Sequence, residues 1–304
     1  MVRGLHVWRM LIAASLSMLF AANCLAEEFS VVVTMEEEAS EAFVVEILSD
    51  EERLTQQELR VLIYHTHTFE AYEPTEAEPY TATEQWRTRD GEHNVVAVGE
   101  ALANSLNALG ITVVHDRTSF EPPSLDQAYE RSRQMLEARM SAGEAYDLII
   151  DLHRDALSSQ ATIKRTVNIG GEDVARFMVL IGKGTTGGYV EKPDWERNLV
   201  IAQALTDALN DQCYGLARNV KIKTGRFNQH ISPRCVLIEC GMNTNTLEEV
   251  LAGIPYLAEA IRQTLQNDIE NPPATNETSS AGGIFAYILA SESGNSSSLA
   301  LTAW

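Results

Sequence analysis

The sequence places residue types that bind metals or transfer protons directly after three apolar runs. They are His65 and His67 after the first run, His153 after the second and Glu239 at the end of the third. Catalytic zinc takes about three protein ligands, usually imidazoles with a carboxylate. A neighbouring glutamate that is not a ligand can transfer protons. These residue types favour a zinc-dependent hydrolase, whereas a single histidine at a strand end more often makes only structural hydrogen bonds.

The spacing of these residues requires a fold that joins distant segments. His67 and His153 are 86 residues apart, and a further 86 residues separate His153 from Glu239. His65 and His67, two positions apart, are expected to share one face of a strand. Glu239 ends a nearly all-apolar strand, so partial desolvation should raise its pKa and suit it to proton transfer.

The apolar runs predict the sheet that brings these residues together. Short continuous apolar runs alternate with segments of helical periodicity between residues 59 and 270. This alternation predicts an α/β fold, in which a mostly parallel twisted sheet is covered by helices on both faces of a single catalytic domain. In such sheets ligands bind beyond the carboxyl ends of the strands. His67, His153 and Glu239 are expected at that edge.

Composition divides the rest of the chain. Residues 1–26 resemble a signal peptide whose apolar core is shorter than the roughly 20 residues of a spanning helix. Export to the periplasm or the cell exterior is therefore expected; an uncleaved membrane anchor and a lipoprotein cut before Cys24 are the alternatives. Residues 27–58 are acidic and are predicted to be a linker. Residues 271–304 are predicted to be a disordered low-complexity tail.

Charge and cysteine content limit the partners and the cross-links. The formal net charge is -20 and the pI is about 4.7, which argues against a nucleic-acid partner because phosphate binding requires clustered cations. After signal cleavage Cys213, Cys235 and Cys240 remain. The odd spacing of Cys235 and Cys240 on one strand places them on opposite faces. Three unpaired buried thiols are preferred, with a Cys213–Cys235 disulfide as the alternative.

Several motifs together resemble one known family. The segments VLIYHTHTFEAY, NVVAVGEALANSLNALGITVVHDRT, YERSR, DLHRDA and VLIECG are similar to those of the stage II sporulation protein P family, over roughly residues 61 to 268. That family resembles zinc-dependent N-acetylmuramoyl-L-alanine amidases. The resemblance implies a Zn²⁺ enzyme that cleaves peptidoglycan between N-acetylmuramic acid and the stem peptide, with endopeptidase activity as an additional option.

The resemblance also implies roles for individual residues. His67 corresponds to the first zinc-ligating histidine, with His65 as the alternative, and His153 corresponds to the second. Glu239 corresponds to the catalytic glutamate of the last strand. Glu92, just before the first long helix, is assigned as the third ligand. His93 and Glu70 are further candidates for that position.

The remaining expectations concern substrate and partners. Arg154 could bind a substrate carboxylate or form a surface ion pair with Asp155, and Asn243 could donate hydrogen bonds to substrate or cap a loop. The acidic excess suggests that a cell-wall protein recruits or activates the enzyme. Two other functions stay open: a non-catalytic module that binds peptidoglycan or a partner, and a peptidase similar to zinc carboxypeptidases.

Overall fold

The computed structural model describes residues 30–35, 44–48, 58–157, 163–270, 288–290 and 297–302. The chain divides into two compact units, one formed by Glu58–Ala274 and the other by Met1–Gln57 with Thr275–Trp304. The strands are β1 Ser30–Met35, β2 Val44–Leu48, β3 Arg60–Tyr64, β4 Thr112–His115, β5 Leu148–Asp155, β6 Thr166–Ile169, β7 Glu172–Ala175, β8 Phe177–Gly182, β9 Lys221–Lys223, β10 Cys235–Met242, β11 Ile288–Ala290 and β12 Ser297–Thr302. The helices are α1 Val95–Ala108, α2 Ala128–Ser141, α3 Trp195–Gln212, α4 Leu247–Leu251 and α5 Ile254–Glu270. Two single 3₁₀ turns span Leu125–Gln127 and Gln229–Ile231.

The larger unit contains a six-stranded sheet in the order β4-β3-β5-β10-β8-β9. The first four strands are parallel to one another. β8 runs antiparallel to β10, and β9 is parallel to β8. The predicted α/β fold with a mostly parallel sheet is therefore confirmed. The reversed pair at one edge was not predicted, because β9 is a three-residue exposed strand with no apolar run to mark it.

Helices cover both faces of this sheet, as the continuous apolar strands predicted. Val61, Ile63 and Ile238 belong to one core, which also contains residues of α1, α3 and α5. On the opposite face Leu62 and Tyr64 pack with residues of α2. Alternate residues of β3 thus enter different cores, so almost the whole strand is buried and had to be apolar.

The residue that caps the start of helix α1 also forms a hydrogen bond to the loop that precedes the helix. The side chain of Asn94 accepts a hydrogen bond from the Val96 amide at 2.9 Å and donates one to the Thr88 carbonyl at 3.1 Å. An asparagine in this position satisfies an amide that the first helical turn leaves free. The loop from Glu70 to Asn94 is consequently attached to the beginning of the helix.

The smaller unit is a four-stranded antiparallel sheet in the order β11-β12-β1-β2. β1 pairs with β12, which is about 270 residues away along the chain, through pairs such as Val31 with Leu301 and Val33 with Leu299. At these residues the structure differs from the acidic linker over 27–58 and from the disordered tail over 271–304. Composition could not reveal this pairing, because each strand is short and its partner is remote. The segment boundaries remain predictions.

Two further expectations concern the N-terminus and the thiols. The signal peptide over residues 1–26 lies outside the described residues. Within the part of the chain that the structure describes, no helix has both the length and the apolar character needed to cross a membrane. Cys213, Cys235 and Cys240 are free; Cys235 and Cys240 are buried as expected, whereas Cys213 is only partly buried.

Candidate active site

The structure brings His67 and His153 together at the carboxyl edge of the sheet. β3 and β5 are parallel neighbours, with Tyr64 in register with Asp151, so the residues that follow β3 lie beside the end of β5. The two imidazole centroids are 5.4 Å apart. Tyr129, at the start of α2, packs edge-on against His67 at 5.5 Å and nearly parallel to His153 at 6.5 Å. The tyrosine ring closes one side of the pair.

Glu70 is one of the carboxylates that the structure brings beside this pair. Its Oε2 is 3.2 Å from Nδ1 of His153, and it also accepts a hydrogen bond from the Arg154 amide at 3.2 Å. The Glu70 carbonyl accepts from the Val95 amide at 2.9 Å. Backbone bonds at both ends of the loop therefore hold Glu70 beside the histidines.

The structure does not support Glu92 as the third ligand. Glu92 is exposed, and its amide donates to Asp90 Oδ1 at 3.0 Å. His93 Nδ1 contacts Asp90 Oδ2 at 2.9 Å. Among the described residues neither side chain contacts His67 or His153. The reason is local: residues 90–93 form a tight turn that ends at the helix cap, and Asp90 organises this turn.

Two carboxylates flank His153 and make its surroundings favourable to a cation. Nε2 of His153 is 2.8 Å from Asp151 Oδ1, close but not aligned for a hydrogen bond. Asp151 accepts bonds from the Thr66 amide at 2.8 Å and the Thr66 hydroxyl at 2.7 Å. Burial alone would lower the pKa of His153, but Asp151 and Glu70 raise it well above its ordinary value. Burial opposes ionisation of Glu70, yet His153 and other nearby cations hold its pKa at about 2.

Glu239 lies on the next strand, in register with His153. Its side chain is buried, and its Oε2 has no hydrogen-bond partner among the described residues. Burial raises the pKa of Glu239 to about 7. A carboxyl group with this pKa can both accept and release a proton near neutral pH. The structure therefore gives Glu239 the surroundings predicted for a proton carrier.

Glu121 contacts the candidate site and was missed by the sequence analysis. Its Oε1 is 2.6 Å from the Arg87 guanidinium and 3.3 Å from Nδ1 of His67, and only 4% of its side chain is exposed. Glu121 belongs to a loop before α2, where no apolar run or spacing pattern marks it. The carboxylate lies against the imidazole of His67 and is positioned to orient that ring.

These side chains provide the donor types that zinc prefers. His67, His153 and Glu70 supply two imidazoles and a carboxylate, the usual composition of a catalytic zinc site. Nδ1 of His67 is buried and lacks a hydrogen-bond partner within the described region, and Nδ1 of His153 faces the Glu70 carboxylate. No group of three or more His, Cys, Asp or Glu residues in that region is already spaced to hold a metal ion. The donor set fits zinc in its chemistry, and side-chain rotation is needed for it to converge on one ion.

His65 has a different environment from His67, although one residue separates them. Nδ1 of His65 contacts the Leu152 carbonyl at 2.9 Å, and Nε2 contacts Nε2 of His115 at 2.9 Å. Its ring is fully buried, and burial lowers its pKa to about 3. The expectation that His65 and His67 share a strand face was wrong, because β3 ends at Tyr64 and the backbone turns there. Both nitrogens of His65 are engaged in structural contacts, so the structure does not favour it as a ligand.

Arg154 and Asn243 both hold loops in place. Arg154 is buried; its Nε donates to the Ala71 carbonyl at 2.9 Å and its terminal nitrogen to the Trp86 carbonyl at 3.0 Å. Asn243 exchanges two hydrogen bonds of 3.1 Å with the backbone of Leu157. For Asn243 these bonds match the loop-capping role that was the alternative to substrate binding. For Arg154 it means that the side chain supports the loop that carries Glu70. Substrate binding by either residue stays a prediction.

Comparison with known proteins identifies the family. The model of the family "Stage II sporulation protein P (SpoIIP)" matches residues 26–262. A curated relative, the stage II sporulation protein P of Bacillus subtilis (strain 168), is 27% identical over 232 residues, which are 72% of this chain and 54% of the relative. The chain thus spans about half the length of the curated relative that it matches.

Solved structures with a similar course of the chain include two amidases. The N-acetylmuramoyl-L-alanine amidase from Clostridium difficile 630 is 17% identical with a TM-score of 0.43, and the similarity covers 71% of this chain and 99% of that one. The N-acetylmuramoyl-L-alanine amidase AmiC2 of Nostoc punctiforme is 14% identical with a TM-score of 0.41, and the similarity covers 70% and 98%.

Proposed function

Because the chain belongs to the stage II sporulation protein P family, we propose that it is a peptidoglycan hydrolase. More specifically, we propose a zinc-dependent N-acetylmuramoyl-L-alanine amidase that cleaves the bond between N-acetylmuramic acid and the stem peptide. The observation that carries the proposal is the position of Glu239. It is a buried carboxyl group without a hydrogen-bond partner among the described residues, and it stands in register with His153.

The proposed zinc ligands are His67, His153 and Glu70, with Glu70 in place of Glu92. The two carboxylates around His153 favour a positive charge, which a metal ion supplies as well as a proton does. Zinc bound there would polarise the substrate carbonyl and make a water molecule sufficiently acidic to act as a nucleophile near neutral pH. Asp151 lies against the far nitrogen of His153 and would keep the ring in position.

Glu239 would move the proton in both halves of the reaction. It would accept a proton from the attacking water and deliver it to the nitrogen of the leaving stem peptide. Its pKa of about 7 makes both transfers feasible at the same pH. Tyr129 packs against both imidazoles and would limit the access of other water to the site.

Activity on peptidoglycan requires export, so the predicted signal peptide over residues 1–26 belongs to the proposal. A recruiting or activating cell-wall protein also remains part of it, because a chain with a net charge of -20 is repelled by anionic wall polymers. Tight binding of the isolated chain to purified sacculi at all salt concentrations would remove the need for such a partner.

The test is digestion of purified sacculi in the presence of zinc, with product analysis and measurement of bound zinc. An amidase releases free stem peptides and leaves the glycan strands intact. An endopeptidase cuts only the cross-links, and a carboxypeptidase removes only terminal residues. The Glu239→Gln variant is the control, and it should retain zinc while releasing nothing. A wild-type chain that binds zinc and releases no product would support the non-catalytic alternative.

A further inference from the structure

The sheet face that carries Glu239 extends to an edge lined with lysines. Glu239 is in register with Met178, and Leu237, two residues before it, is in register with Leu180. Leu180 is in turn in register with Lys221, and Gly182 with Lys223. Residues in register on neighbouring strands point to the same face of a sheet, and so do residues two apart on one strand. Lys221 and Lys223 therefore emerge on the Glu239 face, at the free edge formed by β9.

The loop after β9 connects this edge to the active site. Phe227 and Asn228 both adopt left-handed backbone conformations, with φ values of 49° and 54°. The Asn228 side chain donates to the Tyr129 carbonyl at 2.9 Å and to the Ser132 hydroxyl at 3.0 Å. The Phe227 ring packs edge-on against Tyr129 at 5.8 Å. Consecutive left-handed residues other than glycine are unfavourable, and such strain is concentrated at functional sites.

The loop and the edge strand carry positive charge in a strongly acidic protein. All five lysines of the chain lie between residues 164 and 223. Lys221 and Lys223 are exposed, and Arg226 stacks over the ring of Tyr189 at 4.2 Å. In the described part of the chain none of these three cations forms an ion pair with a carboxylate.

We propose that Lys221, Lys223 and Arg226, here called the basic edge, bind the carboxylates of the stem peptide while the scissile amide lies at Glu239. The inference rests on the proposed function, since it assigns the peptide half of that substrate to one side of the site. A stem peptide is an extended chain with several free carboxylates, and Lys221 and Lys223 offer exposed cations on the same face of the sheet as Glu239. The acidic remainder of the surface repels such a ligand, which confines it to this edge.

Lysines on an edge strand also have a purely protective use, because they prevent pairing with the edge of another sheet. Protection requires only that the charges be exposed. It does not require them to lie on the catalytic face or the following loop to be fastened to Tyr129. The two roles differ in a measurable way, since protective lysines do not discriminate between ligands.

The experiment measures binding separately from cleavage. The whole chain carrying Glu239→Gln, in buffer with zinc, is titrated against a fluorescent, uncrosslinked glycan–peptide fragment, and fluorescence anisotropy gives the Kd. A second probe has all stem-peptide carboxylates amidated. Lys221→Gln combined with Lys223→Gln is compared with Arg197→Gln combined with Arg262→Gln. The control pair removes the same charge from α3 and α5, on the opposite face of the sheet.

We expect the lysine variant to raise the Kd of the carboxylate probe by about tenfold, as two exposed ion pairs would, and to leave the Kd of the amidated probe unchanged. The control pair should change neither. Equal affinity of the parent chain for both probes, no measurable binding of either probe, or an equal loss in both variants would overturn the inference.

Cleavage of the same unlabelled fragment by the chain with Glu239 intact distinguishes this inference from the proposed function. Carboxylate-dependent binding without any cleavage would leave the basic edge established and refute the hydrolase. Cleavage that does not depend on Lys221 and Lys223 would support the hydrolase and refute the role of the basic edge. In the active chain the lysine variant should raise KM by about tenfold with little change in kcat, because the basic edge contacts the peptide away from the reacting atoms.

Discussion

Two histidine pairs stand at the same edge of the sheet and differ in almost every physical respect. In the first pair, His65 and His115 contact each other at 2.9 Å beneath α1, and His65 also contacts a backbone carbonyl. In the second pair, His67 and His153 lie beside Glu121, Glu70 and Asp151, and each keeps a buried nitrogen without a hydrogen-bond partner in the described region. Burial makes the first pair neutral, while carboxylates make the surroundings of the second pair favourable to a cation. Residue type alone does not separate a structural histidine from a ligand; the neighbours of its two nitrogens do.

The largest test of this comparison is the removal of one histidine from each pair. His153→Ala should abolish zinc binding and reduce hydrolysis to background, because a site with two of three ligands holds the metal poorly. His65→Ala should retain a full equivalent of zinc in whatever fraction remains folded. Zinc content per folded molecule, measured after size-exclusion chromatography, decides the matter. Loss of zinc from the His65 variant would mean that His65 is a zinc ligand.

Replacing Glu70 and Glu92 one at a time tests which of the two glutamates is the third zinc ligand. Glu70→Ala should weaken zinc binding by roughly 10- to 100-fold or more, since it removes either a ligand or its closest support. Glu92→Ala is the matched control, because the two residues are both glutamates of the loop before α1. It should bind zinc like the parent chain, since its side chain is exposed. Competition with a chromogenic chelator gives both affinities, and the opposite order would restore Glu92 as the ligand.

Glu239→Gln should lower the rate of hydrolysis by about 10²- to 10⁴-fold, the usual contribution of a positioned acid–base group. The amide cannot accept a proton, although it preserves the shape of the side chain. Zinc content and thermal unfolding should match those of the parent chain. A variant that lost both zinc and activity would instead make Glu239 a ligand.

The packing of α1 against His65 and His115 offers a purely structural test with a smaller expected effect. A Cβ atom on Gly99 would lie 2.6 Å from Nε2 of His115 and 2.7 Å from Nε2 of His65. Gly99→Ala should therefore lower the free energy of unfolding by about 1–3 kcal/mol through overpacking, with the specific activity of the folded protein unchanged. Ala97→Gly, on the same helix, separates this clash from a change in helix propensity. Urea unfolding gives both values, and a stable Gly99 variant would mean that the rings can move apart.

The smallest expected effect is on the pH dependence of stability. The pKa of His65 is lowered to about 3 by burial, whereas an unfolded histidine titrates near 6.5. The unfolded chain therefore binds this proton first, and stability falls as the pH drops below about 6.5. Between pH 7 and pH 5 this group alone should contribute a loss of about 1–2 kcal/mol. Urea unfolding of His65→Gln should show a correspondingly smaller difference between these two pH values, and an unchanged difference would assign the acid sensitivity to other groups.

The sequence contained enough information for the parallel core and for the positions of three candidate site residues at its edge. Continuous apolar runs marked β3, β5 and β10, and the histidines and the glutamate at their ends followed from the way parallel strands share an edge. Glu70 could not be chosen over Glu92 in the same way. Its position depends on the bonds from Arg154 to the carbonyls of Ala71 and Trp86, which join segments that are remote along the chain.

Other features had no local signal. β9 is three exposed residues, and the reversal of β8 depends on pairing across the sheet rather than on its own composition. Glu121 reaches His67 from an irregular loop. β1 finds its partner β12 near the other end of the chain. In each case a contact between distant segments determined the outcome, and neither periodicity nor composition reports such contacts.

The hydrogen bonds that Arg154 makes to the Glu70 loop have a consequence for when the proposed site is assembled. His153 and Arg154 are adjacent on β5, so the docking of this one strand installs a histidine and, through the guanidinium, immobilises the carboxylate opposite it. Until β5 has docked beside β3, the side chains of the proposed site are not brought together. For the hydrolase proposed above, assembly of the site would therefore coincide with the docking of this strand, so an unfolded chain would have no assembled zinc site.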